Sequence, residues 1–486
     1  MVTKKVLSVI SKMQKAGYEC FLVGGAVRDM LLKRDFESGP LDFATNATPE
    51  ETMKVFPSSK YENKFGTVIA HIYPSYTGLQ TEGLTKQFRG VYTRADSSSS
   101  GISEDEIVEI TTYRSETTYA DSRHPDVVTW GNTIYEDLKR RDFTINALAT
   151  DGKKIIDEYK GQEDLKAGII RTVGNPTKRF SEDALRMMRA VRFACELHFT
   201  IDQVTLDAIQ SQSKRLSKVS MERIRDEFMK ILKSDMPDEG IKVLRNTELL
   251  RVFLPELYDT FGVGQVSPQR HHIYDVGTHL LNTLAACKNS DPIVRLACLL
   301  HDIGKPKVRQ ILDSGVVTFY NHEIVGTDMV FDIANRLRLS KKDTILLTKL
   351  VRYHQFVVTE NLTDNAVRRF IRQIGVENIH NMLDLRFADR IGSGAKADSW
   401  RFDLFRKRLE EVQHEPFAVK DLAIDGNDVM KFYDKKPGPF IGEVLDKVFA
   451  EVTEHGLENK KEVLLEYLKK SKIQIPNPKS KISKKT

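Results

Sequence analysis

The sequence predicts an α+β protein in which a small α/β head with a mixed sheet precedes an elongated all-helical body. In the first 150 residues, helical patterns alternate with short runs rich in β-branched residues, such as "ECFLV" and "EIVEITTYR". From about residue 175 onward strand patterns nearly vanish, and apolar residues recur at helical spacing, as in "MERIRDEFMKIL". A chain of 486 residues is also too long for one ordinary core, which favours several domains.

Composition narrows the class of protein. The chain has 40% hydrophobic and 29% charged residues, which is typical of a soluble globular protein, and no apolar run approaches the roughly 18 residues of a membrane span. Its four scattered cysteines show neither metal-ligand spacing nor a disulfide framework, which favours a reducing compartment. We therefore expect a cytoplasmic protein that does not enter a membrane. The net charge of +6 and the basic end "KKSKIQIPNPKSKISKKT" favour a phosphate-rich partner.

A strand that runs into a helix through two glycines is the first candidate site. In "LVGGAVRD", Gly24 and Gly25 allow the backbone to approach a triphosphate, while the helix N-terminus and Arg28 supply positive charge. Taken alone, the two glycines would be better explained by a structural turn. The segment "LDFATNATPEE" then places Asp42 on a short strand, where a carboxylate can hold a divalent ion that bridges nucleotide phosphates.

Two later segments extend this candidate nucleotide site. The stretch "RRDFTINAL" reads as a strand-to-helix transition carrying two guanidiniums, a carboxylate and an amide, which suit ribose and phosphate contacts. In "SEDALRMMRAVRF", Asp183 and Arg186 are three apart on one expected helix face, and Arg189 and Arg192 continue a basic stripe. A fixed carboxylate and guanidinium can present an acceptor and a donor fork to a base edge. Each segment alone could be a surface ion-pair network, but together they indicate nucleotide binding.

A second constellation lies between residues 271 and 394, in "HHIYDVGTHLLNTL", "LACLLHDIGKP", "FYNHEIVG", "VRYHQF" and "LRFADRIGSG". Imidazoles and carboxylates are ligands that divalent metals accept. The candidate ligands are His279, His301, Asp302 and Asp389, with His322 and His354 as further members of the set. So many of these residues in apolar helical segments predict a metal centre.

The first set of segments, with "MERIRDEFMKIL", resembles the bacterial tRNA nucleotidyltransferase and poly(A) polymerase family, the class that includes the CCA-adding enzymes. "DLAIDGNDVMKF" and "KPGPFIGEVLDKVF" resemble the C-terminal region of the same family. The second constellation resembles the HD-domain metal-dependent phosphohydrolases. The resemblance implies a nucleotidyltransferase head (1–150), a nucleotide- and RNA-binding helical neck (151–255), an HD domain (256–412) and a helical tRNA-binding tail with a basic C-terminus (413–486).

The resemblance also implies roles for individual residues. Gly25 and Arg28 would contact the incoming nucleotide, Arg141 and Asp142 would hold its sugar, and Asp183 with Arg186 would pair with the base of CTP or ATP. Arg189 and Arg192 would help to hold the triphosphate. The full set expected to bind nucleotide is Gly24, Gly25, Arg28, Asp29, Arg141, Asp142, Asn146, Asp183, Arg186, Arg189 and Arg192.

One departure from the family pattern concerns the metal site of the head. Members usually supply an Asp-x-Asp pair for Mg²⁺; here Asp42 matches the second aspartate and Pro40 stands in place of the first. A proline can ligate only through its backbone carbonyl, a weaker partner for Mg²⁺ than a carboxylate. Either activity is reduced or another group compensates, and Asp35 and Glu37 lie just upstream.

Glu109, in "IVEITTYR", is the candidate for the remaining catalytic carboxylate beside Asp42, although an ion pair with Arg114 would also explain it. In the HD domain, the resemblance implies a metal-activated water that attacks a phosphoester, with Ni, Mn, Co or Fe as the metal. It does not specify which phosphoester is the substrate.

The main hypothesis is transfer of CMP, AMP or both from CTP and ATP to the 3′ end of tRNA, as CCA addition or repair. Poly(A) addition is an alternative because the same motifs serve both reactions. A third hypothesis is that the head is a degenerate RNA-binding module and that only the HD site is catalytic. Pro40 is the feature that motivates this hypothesis.

Overall fold

A computed structural model describes residues 2–37, 41–63, 66–72, 107–115, 130–265, 274–356, 363–396, 400–412 and 419–471. Pro40, most of the polar segment between the strands at 67–71 and 107–112, and the basic C-terminal stretch from 472 lie outside these residues. The chain divides into two compact units, Met1–Pro255 and Glu256–Thr486. No helix among the described residues combines the length and the apolar character needed to cross a membrane.

A seven-stranded mixed sheet forms the centre of the first unit. Its strands are β1 (Cys20–Val23), β2 (Leu41–Thr45), β3 (Ser59–Asn63), β4 (Thr67–His71), β5 (Ile107–Thr112), β6 (Ala149–Thr150) and β7 (Ile155–Ile156). Their order across the sheet is β3-β4-β5-β2-β1-β6-β7, and β2 and β5 are parallel while the other neighbours are antiparallel. The predicted strands around "ECFLV", "LDFAT" and "VEITT" are all present, and "GTVIAH" contains a further strand.

The alternation of side chains along β2 and β5 sets one polar face of this sheet. Leu41 and Phe43 are buried, whereas Asp42 between them is exposed. Because successive side chains of a strand point to opposite faces, Asp42 lies on the face opposite these two core residues. The parallel register pairs Asp42 with Glu109, so the two carboxylates occupy neighbouring positions on the same face.

Helices α1 to α11 complete the first unit. Their bounds are α1 (Lys4–Lys15), α2 (Gly25–Leu31), α3 (Pro49–Val55), α4 (Ile134–Lys139), α5 (Gly161–Ala167), α6 (Pro176–Glu182), α7 (Leu185–Leu197), α8 (Gln203–Gln212), α9 (Met221–Lys233), α10 (Pro237–Asn246) and α11 (Leu249–Phe253). Two short parallel strands, β8 (Ile169–Ile170) and β9 (Thr200–Ile201), lie among them. The amphipathic pattern of "MERIRDEFMKIL" is confirmed, since α9 buries Ile224, Phe228 and Ile231.

The second unit is almost entirely helical. After α12 (Pro255–Tyr258), its elements are α13 (Val276–Ala286), α14 (Pro292–Leu300), α15 (Lys305–Val308), β10 (Gln310–Ile311), β11 (Val317–Thr318), α16 (His322–Arg336), α17 (Lys341–Tyr353), α18 (Asp364–Ile374), α19 (Ile379–Gly392), α20 (Trp400–Val412), α21 (Gly426–Tyr433), α22 (Phe440–Glu454) and α23 (Lys461–Ser471). The last three helices share their own core, which includes Val429, Val448 and Leu464.

A glycine brings α13 and α19 close together. A Cβ at Gly392 would lie 2.3 Å from Thr283 Oγ1 and 2.6 Å from the Thr283 backbone nitrogen. Only a residue without a side chain permits this approach. His279 is one turn before Thr283, and Asp389 is three residues before Gly392, so the close contact brings a candidate metal ligand of each helix to the same place.

Candidate nucleotide site and metal centre

The turn between β1 and α2 is shaped for a close approach of the backbone. Gly24 caps α2 with φ 70° and ψ −133°, a conformation that residues with a side chain rarely adopt. A Cβ at this position would lie 2.6 Å from Arg141 Nη1, so the glycine also makes room for a guanidinium. The Gly24 amide donates to the Leu148 carbonyl at 3.0 Å, which joins the turn to the end of "RRDFTINAL".

A chain of polar contacts leads from this turn into α7. Arg28, only 8% exposed, donates from Nη1 to Asn146 Oδ1 at 2.8 Å. Asn146 Nδ2 donates to Asp142 Oδ1 at 3.2 Å, and Arg189 Nε donates to Asp142 Oδ2 at 2.8 Å. Asp29 holds the other edge of Arg28, accepting from Nε and Nη2 at 2.9 and 2.8 Å. Five predicted nucleotide-binding residues are therefore connected to one another.

Asp142 lies at the centre of this series of hydrogen bonds, and its carboxyl group is ionised at neutral pH. Burial alone would raise its pKa, but the adjacent Arg189, with help from Arg186 and Asn146, lowers the pKa to about 2. Arg189 is raised in pKa by Asp142 and Glu227 against the effect of its own burial. The pair is a part-buried, charge-assisted contact that links the sheet region to α7.

Arg141 lies near both the Gly24 turn and the carboxylate of Asp42 on the sheet. Its Nε and Nη2 donate to Asp137 Oδ2 at 3.2 and 3.0 Å, and Arg140 occupies the other oxygen of Asp137. Burial alone would raise the pKa of Asp137, but the two guanidiniums lower it to about 2. Arg141 also acts on Asp42, opposing the rise in pKa that the surrounding protein causes there. Asp137 was missed in the sequence because it reads as an ordinary residue of an amphipathic helix.

The sequence-based placement of "RRDFTINAL" was wrong in its order of elements. It was expected to run from a strand into a helix, whereas the structure runs from α4 through a short 3₁₀ turn at Thr144–Asn146 into β6. Asp142 Oδ1 accepts from the Phe143 backbone nitrogen at 2.8 Å. Such a bond between a side chain and the adjacent backbone favours a tight turn over a regular helix.

The placement of Asp183 and Arg186 on one helix was also wrong. Helix α6 ends at Glu182, Asp183 is extended with φ −146°, and α7 begins at Leu185. The break is stabilised by Asp183 Oδ1, which accepts from the Leu185 backbone nitrogen at 3.0 Å, as a capping side chain does. The chain is therefore kinked at the point where the two residues were expected to share a helix face.

Asp183 and Arg186 are each held by a partner that was not predicted. Asp183 Oδ2 accepts from Arg223 Nη2 at 2.7 Å. Arg186 donates to Glu182 Oε2 at 2.6 Å and to the Arg140 carbonyl at 3.1 Å. These contacts fix the orientation of both side chains without joining them to each other.

Three guanidiniums, two from α7 and one from α2, surround the ring of a phenylalanine in α7. The Phe193 ring, 5% exposed, has the guanidinium carbons of Arg28, Arg189 and Arg192 at 5.1, 5.2 and 4.1 Å from its centroid. Contacts of this kind orient guanidiniums that would otherwise repel one another. Arg192 also donates to Glu227 Oε2 at 2.6 Å. Sequence reasoning missed Phe193 because a phenylalanine in an apolar helix normally indicates core packing.

Asp42 and Glu109 are neighbouring carboxylates on strands β2 and β5. Partial burial raises the pKa of Glu109, and the nearby charges of Asp42 and then Glu62 raise it further. Two carboxylates whose charges oppose each other are a donor set that a divalent cation stabilises, and oxygen ligands suit Mg²⁺. The two upstream carboxylates are engaged in other contacts: Glu37 accepts from Thr3 Oγ1, and Asp35 accepts from the Glu37 backbone nitrogen at 3.1 Å.

In the second unit, six buried side chains converge from five helical segments. His279 comes from α13, His301 and Asp302 directly follow α14, His322 opens α16, His354 follows α17 and Asp389 lies in α19. None is more than 9% exposed. The structure therefore brings together all the ligands predicted for the metal centre.

The ligand atoms form two groups that share Asp302. Oδ2 of Asp302 lies 3.4 Å from Nε2 of both His279 and His301, while Oδ1 lies 3.0 Å from His322 Nε2 and 3.5 Å from His354 Nε2. Asp389 Oδ1 joins the first group, 3.2 Å from His279 Nε2. Each group of three places its ligand atoms within 4.8 Å of one another. One carboxylate facing two donor sets is an arrangement that can bridge two cations.

The electrostatics of this centre fit a cation. Burial opposes ionisation of Asp302, yet Lys305 and the neighbouring imidazoles hold its pKa well below its usual range. Burial would also lower the pKa of His301, but Asp302 and Asp389 beside it raise the pKa to about 10. Protons and a divalent metal compete for the same imidazole nitrogens, so a cation can replace these protons. Backbone carbonyls next to Nδ1 of His301, His322 and His354 leave Nε2 free to ligate.

Known proteins match this chain over almost its whole length. The CCA-adding enzyme of Ligilactobacillus salivarius is 33% identical over 471 residues, which cover 96% of this chain and 96% of that protein. The chain belongs to the CCA-adding enzyme family. A second CCA-adding enzyme, from a Geobacillus species, is 31% identical over 470 residues and covers 96% of each chain. As a member of this family, the chain is a tRNA nucleotidyltransferase, and the predicted family and enzyme class are confirmed.

Solved CCA-adding enzymes have the same fold. The crystal structure of the Bacillus stearothermophilus CCA-adding enzyme in complex with CTP superimposes with a TM-score of 0.66 at 27% identity, over 96% of this chain and 97% of that one. The Thermotoga maritima CCA-adding enzyme complexed with tRNA shares the fold, with a TM-score of 0.57 at 19% identity over 96% of each chain. The predicted mixed-sheet head followed by a helical body is confirmed.

Family models divide the same chain. The Poly A polymerase head domain matches residues 20–88 and 77–171, and the HD domain matches residues 272–391. A model for domain 2 of tRNA nucleotidyltransferases matches residues 333–468. The CCA-adding head and the HD centre therefore both have recognised counterparts, and the candidate His and Asp ligands described above lie within the HD match.

Proposed function

We propose that this CCA-adding enzyme family member transfers CMP and AMP from CTP and ATP to the 3′ end of tRNA and so completes or repairs its CCA terminus. The observation that carries the proposal is the continuous set of contacts from Arg28 through Asn146 and Asp142 to Arg189. It joins the glycine turn, "RRDFTINAL" and α7 into one preorganised surface. A substrate of this kind also favours the cytoplasm as the location.

The chemistry is an in-line attack of the terminal tRNA hydroxyl on the α-phosphate of the nucleotide, with pyrophosphate as the leaving group. Asp42 and Glu109 would hold Mg²⁺, which supplies charge neutralisation at the attacking and leaving oxygens. Gly24 and Gly25 let the backbone approach the phosphates, and Arg28 and Arg189 complement their charge. The geometry of these groups contributes to the rate because little rearrangement is required when the nucleotide binds.

Selection between cytosine and adenine is assigned to Asp183 and Arg186. Both side chains are held on short contacts, to Arg223 and Glu182 respectively, at the kink between α6 and α7. An acceptor and a donor fork fixed in this way can meet the base edge without a nucleic-acid template. The protein itself would then act as the template.

Transfer of labelled CMP to a tRNA transcript that lacks its 3′ end tests this assignment. We expect incorporation that depends on Mg²⁺ and falls by at least about a hundredfold in Asp42→Asn, the size of effect that removal of one transition-state charge contact produces. Glu50→Gln, which changes an exposed carboxylate of α3, is the control and retains activity. No incorporation by the wild-type protein with Mg²⁺ or Mn²⁺ would favour a degenerate head instead.

We further propose that the HD domain is a metal-dependent phosphohydrolase. The carboxylate of Asp302, shared between two groups of buried imidazoles, is the observation that supports it. A first-row transition metal such as Ni, Mn, Co or Fe suits mixed imidazole and carboxylate ligands and would supply a water of lowered pKa as the nucleophile. Hydrolysis of a 2′,3′-cyclic phosphate or a phosphorylated tRNA end tests it: turnover that metal removal or His301→Ala leaves unchanged would contradict the proposal.

A further inference from the structure

Two buried thiols of the second unit lie next to each other. Cys287 is the C-cap of α13 and is 7% exposed, and Cys298 lies within α14 and is 0% exposed. Their side chains are hydrogen-bonded to each other, and both cysteines are free. The other two cysteines, Cys20 on β1 and Cys195 on α7, belong to the first unit. The second unit therefore holds two free thiols in direct contact.

The connection between α13 and α14 is held in place around these thiols. Arg295 Nε, on α14, donates to the Asn289 carbonyl at 2.7 Å. Asn289 Nδ2 donates to Asp384 Oδ2, on α19, at 2.8 Å. Cys287 Sγ lies 3.8 Å from the same Asn289 carbonyl. Because these contacts fix the connection to two neighbouring helices, the Cys287 thiol is kept beside Cys298 in the folded chain.

Cys287 is the thiol that an oxidant from solvent meets first. It is the more exposed of the two sulfurs, and it lies at a helix end rather than within a helix. The hydrogen bond with Cys298 lowers the pKa of the Cys287 thiol against the effect of its burial, and the guanidinium of Arg295 lowers this pKa further. Since the thiolate is the reactive form, Cys287 is suited to attack, with Cys298 as the second thiol.

Cys298 is connected to the metal centre through its backbone. His301 Nδ1 donates to the Cys298 carbonyl at 3.0 Å, and this bond orients the ring whose Nε2 faces Asp302. Cys287 ends the helix that carries His279. The S–S bond of a disulfide is about 2.05 Å long, which is shorter than a hydrogen bond between two thiols. Formation of a disulfide would therefore shift the Cys298 carbonyl and with it the imidazole of His301.

We propose that Cys287 and Cys298 form an oxidant-sensitive thiol pair, and that its conversion to a disulfide lowers the affinity of the HD centre for metal. The Cys287 thiolate attacks one oxygen of hydrogen peroxide, so that an S–O bond forms, the O–O bond breaks and hydroxide leaves. Cys298 then loses its proton and attacks the Cys287 sulfur, so that the S–S bond forms and the S–O bond breaks with loss of a second hydroxide. The two hydroxides and the two thiol protons give two waters, and two electrons pass from the sulfurs to the peroxide.

The expected size of the effect follows from the role of the Cys298 carbonyl. Loss of an outer contact that orients a ligating histidine lowers metal affinity about 10- to 100-fold. In a reducing compartment, thiol reductants return the pair to its free form, so the change is reversible. The inference does not rest on the proposed phosphohydrolase function, because bond formation and metal binding are both measured without a phosphoester.

Treatment of the metal-free, full-length protein with hydrogen peroxide tests the disulfide. We expect the mass of the protein to fall by two hydrogen atoms, and the peptides that contain Cys287 and Cys298 to stay linked until dithiothreitol is added. Cys287→Ser should abolish this loss, whereas Cys195→Ser, which removes a buried thiol of α7, is the matched control and should retain it. In the wild-type protein, an unchanged mass or oxygen added to a single cysteine would overturn the proposal.

Mn²⁺ binding to the same samples, measured by the electron paramagnetic resonance of the free ion, tests the connection to the metal centre. His301→Ala gives the background of Mn²⁺ bound elsewhere on the chain. We expect the Kd of the wild type to rise at least about tenfold on oxidation and to return with dithiothreitol, and the Kd of Cys287→Ser to stay unchanged in peroxide. Equal Mn²⁺ affinity of the disulfide and the reduced form would overturn the proposed control of metal binding.

Discussion

Asp142 and Arg189 form a part-buried two-point contact, with Asp142 Oδ2 2.8 Å from Arg189 Nε and 2.7 Å from Nη2. The two residues are 47 positions apart in the sequence. Their contact holds "RRDFTINAL" against α7 and so positions both sides of the candidate nucleotide site. We therefore expect both the stability of the first unit and nucleotide binding to depend on this contact.

The first prediction is a pH-dependent loss of stability in Asp142→Asn. The folded-state pKa of Asp142 is depressed to about 2 from its usual 3.8, so its contribution is present above about pH 4 and is lost as the pH falls through about 2. The shift corresponds to about 2 kcal/mol at neutral pH. Thermal melting of the full chain should show a lower melting temperature for the variant at pH 7. The difference should shrink toward pH 2, whereas Asp313→Asn, an exposed carboxylate, should match the wild type throughout.

The second prediction separates backbone strain from crowding at the glycine turn. Gly24→Ala introduces a Cβ 2.6 Å from Arg141 Nη1, whereas Gly17→Ala, at a similar positive φ, meets no atom within 4 Å. Both substitutions carry the cost of a positive-φ backbone, on the order of 1–3 kcal/mol. Only Gly24→Ala should displace Arg141, so its KM for CTP should rise at least about tenfold. Equal effects of the two substitutions on KM would show that Arg141 is not held by the space that Gly24 leaves.

The third prediction concerns Pro40, which stands two positions before Asp42 in the sequence. Pro40→Asp supplies the carboxylate that the family resemblance leads us to expect at this position. We expect nucleotide addition to rise steeply, because Mg²⁺ would gain a further charged ligand in addition to Asp42. Single-turnover rates of CMP transfer at saturating CTP give the comparison. An unchanged rate would show that another group already compensates, and Glu109 would then be the carboxylate to substitute next.

The fourth prediction is that the two candidate sites can be inactivated separately. His301→Ala removes a ligand of the group that contains His279 and Asp302, so phosphohydrolase activity and bound metal should both fall. Nucleotide addition should remain, because Asp42 and Glu109 lie in a different compact unit. His380→Ala, an exposed histidine on α19, is the control. A parallel loss of nucleotide addition in His301→Ala would contradict independent sites.

The sequence predicted those parts of the fold that depend on local pattern. The strand, double glycine and helix around Gly24 are where they were expected, as are the strands of Asp42 and Glu109, because these elements follow from side-chain alternation and turn chemistry. The HD ligands were also found, because histidine and aspartate in apolar segments stand out. The kink at Asp183 was not predicted, because one side-chain bond to the Leu185 amide outweighs a helical pattern there.

Residues that act through distant contacts could not be recognised in the sequence. Phe193 reads as core, and only the folded chain shows three guanidiniums around its ring. Asp137 reads as a surface residue, although it clamps Arg140 and Arg141. Such roles arise from pairing across the fold, which one sequence without an alignment does not show.

The length and sequence of the product made on a tRNA transcript lacking its 3′-terminal CCA test the central claim most directly. With CTP and ATP together, we expect extension by three nucleotides that read CCA and then stop, and with CTP alone extension by two. Long adenosine tails would contradict CCA addition in favour of poly(A) synthesis. No extension of the transcript under either condition would contradict a working head.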